Sequence, residues 1–162
     1  MNPKPLYLAL FASIASLVAV LIAQYGFGLI PCELCQLQRI PYVVVIFLAL
    51  LGLYRPRHRL WIIGLIGLTF LAGSGIAAYH TGVEKQWIAG PIGCTDSGNK
   101  AGQSMDDFLK KIEHAPIVAC NQSQWDFHGL TMAGMNAFWS LFLACNMFVA
   151  LQQLCKRKHS HA

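Results

Sequence analysis

The sequence contains little charge. Only 12% of its 162 residues are Asp, Glu, Lys or Arg, whereas 56% are hydrophobic; soluble domains carry about 25% charged and about 45–50% apolar residues. The hydrophobic residues are concentrated in four long runs, which excludes a soluble enzyme, a disordered chain and a fibrous protein. Six cysteines are too few for a small scaffold held together by disulfides. The length excludes a large transporter, since four membrane spans use roughly 80 residues.

The four hydrophobic runs predict four transmembrane helices. A bilayer core of about 30 Å takes roughly 20 helical residues, and a backbone in lipid must satisfy its hydrogen bonds internally. The runs are too long and too evenly apolar for barrel strands, in which apolar and polar residues alternate. The predicted spans cover residues 7–27, 36–54, 60–79 and 130–154. We therefore expect an all-α membrane protein in which residues 1–162 form one four-helix membrane domain.

The distribution of charge predicts the orientation of the chain. Both termini and the loop 55–59 lie on one side and carry seven of the twelve Lys and Arg residues but no acidic residue. The opposite side includes the loops 28–35 and 80–129 and carries all seven Asp and Glu residues. Because basic residues stay in the cytoplasm, we expect cytoplasmic termini and two extracytoplasmic loops. The basic excess thus reflects this topology in membrane lipid, and no basic patch predicts a nucleic-acid partner.

Four of the cysteines are extracytoplasmic in this topology, where disulfides persist. Cys32 and Cys35 form a C-x-x-C motif at the start of the second span, and Cys94 and Cys120 lie in the long second loop. The N-terminus of a helix favours a thiolate, so the motif is a candidate redox centre. A static disulfide is one alternative. Half of a zinc site is another, but a second C-x-x-C is missing from the sequence, and we expect no metal.

Arg39 follows Cys35 by one helical turn and so lies on the same face of the helix. A permanent cation at the edge of the hydrocarbon is costly and usually marks function. The alternative is that the side chain only reaches for lipid headgroups.

The second loop combines a polar part with a short apolar pattern. Residues 93–104 are rich in Gly, Ser, Asp and Asn, which is typical of a mobile loop. Apolar residues at helical spacing within 104–112 predict a short amphipathic helix, which lies either on the outer membrane surface or against the protein. A disulfide between Cys94 and Cys120 in such a loop is open to thiolate attack. This favours an electron-accepting role over a scaffold role.

Several residues inside the spans predict helix packing. Small residues four apart occur in the third span, at Gly73 with Ala77 and at Ser74 with Ala78. Such pairs allow helices to approach closely. Asn136 and Asn146 of the fourth span are expected to form interhelical or interfacial hydrogen bonds. We expect Cys145 to be a small buried apolar side chain and Cys155 to be a reduced cytosolic thiol, both inert.

Three segments together resemble the bacterial disulfide bond formation protein DsbB family. The first is Pro31-Cys-Glu-Leu-Cys-Gln-Leu-Gln-Arg39, the second runs from Tyr79 to Glu84 ahead of Cys94, and the third is Gln124-Trp-Asp-Phe-His-Gly-Leu130 after Cys120. The resemblance covers nearly the whole chain, and the combination of motifs is specific although a single C-x-x-C is not.

The resemblance implies a monomeric enzyme of the bacterial inner membrane with periplasmic redox cysteines. It would reoxidise a DsbA-like thioredoxin-fold oxidase of the periplasm and pass the electrons to a membrane quinone, either ubiquinone or menaquinone. Cys94 would form the mixed disulfide with the partner, and Cys120 would then exchange with Cys32. Cys35 would remain as the thiolate that faces the quinone.

Two further quinone-site residues follow from the same resemblance. Arg39 would lie beside a quinone carbonyl, and His80 matches a position near the quinone. For His80 the alternative is an interfacial histidine bonded to headgroups or backbone.

Two other functions stay open at this point. The vitamin K epoxide reductase group also has four helices and a C-x-x-C, but there the motif lies late in the chain, unlike Cys32 and Cys35. A non-enzymatic membrane protein with four spans and two structural disulfides is the alternative from a different class. A channel is disfavoured because the spans carry no series of acidic or histidine residues.

Overall fold

The computed structural model describes residues 3–91, 119–121, 125–127 and 129–160. Its helices are α1 (Lys4–Gly26), α2 (Glu33–Leu37), α3 (Arg39–Tyr54), α4 (Arg59–Glu84) and α5 (Met132–Ser160), with a 3-10 turn at Pro56–His58 and two short strands, β1 (Asp126–Phe127) and β2 (Leu130–Thr131). In this part of the chain, four helical stretches are long and apolar enough to cross a membrane. The predicted all-α four-helix membrane bundle is confirmed. The predicted amphipathic helix at 104–112 lies outside the described residues.

The core of the bundle is formed by apolar side chains from all four long helices. Leu6 of α1, Val45 of α3, Ile63 of α4 and Leu143 of α5 are all buried in one cluster. Large apolar side chains also cover the outer faces, and Phe47, for example, is 69% exposed. Soluble proteins rarely expose apolar surface on this scale, so these outer faces suit lipid.

The second span is interrupted at Gln38, where α2 ends and α3 begins. Pro41 has no N–H with which to bond the carbonyl of Leu37, and the helical ladder breaks there. The backbone of Gln38 stays close to helical, with φ −65° and ψ −16°, so the two helices together form one candidate span, Glu33–Tyr54. The break places Arg39 in the first turn of α3, directly after the C-x-x-C.

Helix α4 continues to Glu84, past the predicted end of the third span at Tyr79. The hydropathy falls at His80, but the side chains of His80 and Glu84 are only 2% and 7% exposed. They face the protein interior and not lipid, so the helix continues where the apolar pattern ends. This extra turn brings both side chains to the C-x-x-C.

A short hairpin leads into α5. Strands β1 and β2 pair antiparallel, and Gly129 allows the turn because its φ is +85°. The N–H of Gly129 donates to Oδ1 of Asp126 at 2.6 Å. Thr131 then caps α5 by accepting the N–H of Gly134 at 3.1 Å. The hairpin fixes where α5 enters the bundle.

Most of the small residues of α4 that were predicted to pack against other helices lie at helix contacts. Gly73, Ser74 and Ala77 are buried, whereas Ala78 is exposed. A Cβ on Gly73 would lie 3.2 Å from Cβ of Pro41 on α3. Ser74 donates from Oγ to the carbonyl of Ala137 on α5 at 2.9 Å. Close packing of α4 against both neighbours therefore depends on these positions.

Replacing Gly73 by alanine should lower the thermal unfolding midpoint of the protein in detergent. The added methyl would press on the rigid ring of Pro41, and overpacking of this kind costs about 1–3 kcal/mol. Gly75 is the matched control, because a Cβ there meets nothing within 4 Å. Gly75→Ala should leave the midpoint unchanged or raise it, since alanine is favoured over glycine in a helix by about 1 kcal/mol. Equal midpoints for the two variants would contradict the close contact.

Candidate active site

The C-x-x-C motif forms the start of α2. Cys32 is the N-cap residue, and its sulfur accepts the backbone N–H of Cys35 at 3.3 Å. The two sulfurs are 3.0 Å apart and hydrogen-bonded, and both cysteines are free thiols. A disulfide requires about 2.05 Å, so the pair is reduced and close enough to be joined by a small movement.

The surroundings of Cys32 favour its thiolate. The hydrogen bond from the thiol of Cys35 is the largest cause and lowers the pKa of Cys32 to about 4, against an opposing effect of burial. The side chain of His80 and the backbone N–H of Cys35 add to the lowering. In the reduced pair the negative charge therefore lies on Cys32, with Cys35 as the donor. The thiolate that the resemblance implies for Cys35 belongs to a different state, in which Cys32 is joined to Cys120.

His80 of α4 lies against the sulfur of Cys32. Its Nε2 is 3.5 Å from that sulfur, and its Nδ1 is 2.6 Å from Nε2 of Gln38. An amide nitrogen can only donate, so Nδ1 must accept and the ring hydrogen lies on Nε2. His80 therefore donates to Cys32. The ring is 2% exposed, which argues against an interfacial histidine bonded to headgroups.

Gln38 and Asn136 connect His80 to the middle of the bundle. The side-chain N–H of Asn136 on α5 donates to Oε1 of Gln38 at 2.6 Å. The hydroxyl of Tyr42 donates to Oδ1 of Asn136 at 2.5 Å and is 2.9 Å from Oγ of Ser140. The predicted interhelical hydrogen bond of Asn136 is thus confirmed. The same prediction for Asn146 was wrong, because its side chain donates to the carbonyl of Phe142 within α5. Gln38, Tyr42 and Ser140 were not predicted as site residues, because a polar side chain near a helix end gives no sign in the sequence of which helix it faces.

Cys120 packs beside the C-x-x-C. It is disulfide-bonded, it is 1% exposed, and it shares a buried cluster with Cys32, Leu34 and Val83. Cys94 lies outside the described residues. The structure thus places three of the four predicted redox cysteines together at one end of the bundle.

Arg39 and Glu84 add charge to the same region. Nη2 of Arg39 donates to Oε1 of Gln24 on α1 at 2.9 Å, so the guanidinium is held between helices. Oε1 of Glu84 is 3.8 Å from Nε2 of His80, and Oε2 is buried without a hydrogen-bond partner among the described residues. Glu84 was not predicted, although its spacing of four from His80 places it on the same helix face.

A cavity of about 150 Å³ opens among these residues. A cavity of about this size, lined by apolar side chains, holds one benzene ring. Its walls come from α1 to α5 and the hairpin: Ser16, Leu17, Val20, Ala23, Gln24, Leu29, Ile30, Pro31, Cys32, Cys35, Gln38, Arg39, Tyr42, His80, Glu84, Trp125, Met132, Ala133 and Asn136. Both sulfurs of the C-x-x-C, the guanidinium of Arg39 and the carboxylate of Glu84 therefore border one mostly apolar space.

Cys32, Cys35 and His80 also offer three donor atoms within 4.8 Å of one another, as a soft metal ion would need. The hydrogen bond from Gln38 occupies Nδ1 of His80 and leaves the ring hydrogen on Nε2, the atom that faces the sulfurs. A protonated nitrogen donates and does not ligate. The arrangement therefore favours a stabilised thiolate over a bound metal.

The two remaining cysteines lie away from this site. Cys155 is exposed near the end of α5. Cys145 is also exposed, and the expectation of a buried side chain was wrong. The buried face of α5 carries Leu143, Ala144 and Met147, so Cys145 lies on the outer face of the helix, next to lipid.

The chain is similar to known proteins over nearly its whole length. The family model described as disulfide bond formation protein DsbB matches residues 3–150. The chain is 33% identical over 150 residues to disulfide bond formation protein B of Azoarcus sp. (strain BH72), covering 86% of this chain and 84% of that protein. It is 34% identical over 148 residues to the protein of the same name from Dechloromonas aromatica (strain RCB), covering 88% and 86%. For the one from Haemophilus influenzae the identity is 26% over 164 residues, covering 94% and 88%. The chain therefore belongs to the DsbB family, and it is a multi-pass membrane oxidoreductase of disulfide bond formation.

Proposed function

We propose that the protein is a quinone-coupled thiol oxidase that reoxidises a DsbA-like thioredoxin-fold dithiol in the periplasm. The observation that carries this proposal is the position of the reduced C-x-x-C. On one side Cys32 packs against the disulfide-bonded Cys120, and on the other both motif sulfurs border an apolar cavity that also contains Arg39. The pair thus lies between the cysteine that would relay electrons from the partner and a space that suits a flat, lipid-soluble acceptor.

Two thiol–disulfide exchanges would bring electrons to the motif. A partner thiolate attacks a disulfide between Cys94 and Cys120, forms a mixed disulfide with Cys94, and releases Cys120 as a thiolate. The second partner thiol then displaces Cys94, so the partner leaves with its own disulfide. Cys120 and Cys94 in turn reduce a Cys32–Cys35 disulfide in the same way. Each cycle moves two electrons and two protons from the partner to the C-x-x-C.

The residues around the cavity fit a quinone. Its size and apolar walls suit one substituted ring, the guanidinium of Arg39 is a donor for a carbonyl oxygen, and the free Oε2 of Glu84 is a buried acceptor for a hydroxyl. When bound, a quinone supplies a two-electron acceptor. The protein supplies orientation through Arg39, a stabilised thiolate at Cys32, and exclusion of water by the apolar walls.

The same proposal includes the sidedness of the chain. With basic residues retained in the cytoplasm, both termini are cytoplasmic, and the loops that hold Cys32, Cys35, Cys94 and Cys120 are periplasmic. A periplasmic site meets oxidising surroundings and exported substrates.

The test is an oxidation assay on purified protein in detergent with a reduced thioredoxin-fold partner. We expect loss of quinone absorbance in a one-to-one ratio with partner disulfide formed, and none when the protein is omitted. Partner oxidation that proceeds without quinone consumption would contradict the quinone as acceptor. Complete absence of partner oxidation would instead support a structural role for the two cysteine pairs.

Replacing Arg39 by lysine should weaken the use of quinone while keeping the charge. The planar guanidinium can bond Gln24 and a quinone oxygen together, whereas an ammonium is a compact point donor. We expect a rise in the apparent quinone KM of about tenfold, which corresponds to the loss of roughly 1.4 kcal/mol of binding. Arg57→Lys, in the exposed turn Pro56–His58, is the control and should leave KM unchanged. An unchanged KM in Arg39→Lys would exclude the contact.

A further inference from the structure

We propose that Asn136 and Gln38 are positioning residues: through two successive hydrogen bonds they hold the imidazole of His80 in the tautomer that presents Nε2–H to the sulfur of Cys32. The two residues lie outside the C-x-x-C. Their effect on His80 does not depend on the proposed function, but its importance for catalysis rests on that function.

The orientation of the two amides gives each hydrogen bond its direction. Tyr42 donates to Asn136, and an amide oxygen can only accept. The orientation of the Asn136 amide then directs its N–H to Oε1 of Gln38. With its oxygen in use there, Gln38 can offer only its N–H to Nδ1 of His80. Reversing one of the two amides alone would set two donors or two acceptors against each other, so the orientations of Asn136 and Gln38 are coupled.

The hydrogen bonds of Gln38 and His80 are buried, so this arrangement is costly to change. Gln38 is 8% exposed and His80 is 2% exposed. A buried polar group that loses its hydrogen-bond partner destabilises the protein. The tautomer of His80 is therefore set by α3 and α5 and does not follow the solvent.

The tautomer of His80 affects the sulfur of Cys32. A neutral imidazole with its hydrogen on Nε2 stabilises a thiolate, whereas the other tautomer would direct a lone pair at it. The other titratable or charged side chains bordering the same cavity are Cys35 of α2, Arg39 and Tyr42 of α3 and Glu84 of α4. From α5 the cavity receives the neutral Asn136. Asn136 thus acts on Cys32 only through Gln38 and His80.

Asn136→Leu tests this role, with Asn146→Leu as the matched control on the same helix. Asn146 is half-buried, and among the described residues its side chain donates to the carbonyl of Phe142 in its own helix. Two readouts are taken on the reduced full-length protein in detergent, without partner or quinone. One is the 15N chemical shifts of the His80 imidazole, assigned with His80→Asn. The other is the pH midpoint of Cys32 alkylation by iodoacetamide, located by peptide mass spectrometry.

We expect the wild type and Asn146→Leu to show a single Nε2–H tautomer and the same low midpoint. Asn136→Leu should show a mixture of tautomers and a midpoint at least one pH unit higher, or about tenfold less thiolate at a given acidic pH. If Asn136→Leu does not fold, Gln38→Met, which keeps the length of the side chain but removes its donor, replaces it with the same expectation.

An unchanged tautomer and midpoint in a folded Asn136→Leu or Gln38→Met variant would overturn the inference. Because neither readout needs turnover, this result is separate from the proposed function. The positioning role can fail while quinone-dependent oxidation persists, and it can hold in a protein that reduces no quinone.

Discussion

Replacing Cys35 by serine should reduce quinone-dependent oxidation of a dithiol partner to the uncatalysed background. The C-x-x-C must close into a disulfide to release its two electrons, and serine cannot form that bond. The serine hydroxyl can still donate a hydrogen bond to Cys32, so the loss of rate would report the missing disulfide. The measurement is the initial rate of quinone absorbance loss with a fixed concentration of reduced partner.

Cys145→Ser is the control for this variant, since its side chain lies on the outer face of α5, away from the cavity. It removes one thiol from the same bundle and should leave the rate unchanged. Cys35→Ser should also trap a mixed disulfide that contains Cys32, visible as a partner-linked or Cys120-linked species on non-reducing gels. Equal rates for Cys35→Ser and Cys145→Ser would remove the C-x-x-C from the electron route.

The four-helix bundle could be predicted because a membrane span must be apolar along its whole length. Hydropathy located all four spans, but it failed where polar side chains face the protein interior. It ended the third span at Tyr79, whereas α4 continues to Glu84, since average hydropathy does not separate a polar residue that faces protein from one that faces water. The outward position of Cys145 was missed for a related reason. In a uniformly apolar helix, the residue types alone do not show which face is buried.

The candidate site could be predicted only where the residues carry their own chemical signature. A C-x-x-C next to Arg39 is such a signature, and the structure brings both to one cavity. Gln38 and Asn136 are ordinary amides that are distant in the sequence, and their roles follow from the crossing of α3 and α5. Glu84 could have been suspected from its spacing to His80, but nothing in the sequence shows that one of its oxygens is buried and unpaired.

The stabilised thiolate has a consequence for the direction of electron flow. A dithiol whose reduced form is stabilised has a higher reduction potential, so its disulfide is a stronger oxidant. The hydrogen bonds that favour the Cys32 thiolate therefore favour reduction of a Cys32–Cys35 disulfide by other thiols. The same bonds make the return of electrons from the pair harder, which requires a strong acceptor in the cavity. A quinone meets this requirement better than a soluble disulfide.

Cys32 in the reduced protein should remain reactive towards iodoacetamide down to an unusually low pH. With a pKa of about 4, the thiolate is nearly complete at about pH 6, where a thiol with the ordinary pKa of about 8.5 is only about 0.3% ionised. Acid protonates the thiolate, so the rate should stay level as the pH falls and should be lost through about pH 4. The lower intrinsic reactivity of a low-pKa thiolate reduces the absolute rate but does not move this midpoint.

The pH profile of Cys35→Ala separates the main cause of the lowered pKa of Cys32 from the smaller causes. That variant removes the thiol donor, the largest cause of the lowered pKa of Cys32, and leaves the bond from His80 in place. The midpoint should therefore rise well above that of the wild type, and His80→Ala should raise it by less. Cys155→Ala, at an exposed position, should leave the profile as it is. A wild-type midpoint near that of a free thiol would mean that the C-x-x-C holds no stabilised thiolate, and the proposed order of exchanges through Cys32 would have to be abandoned.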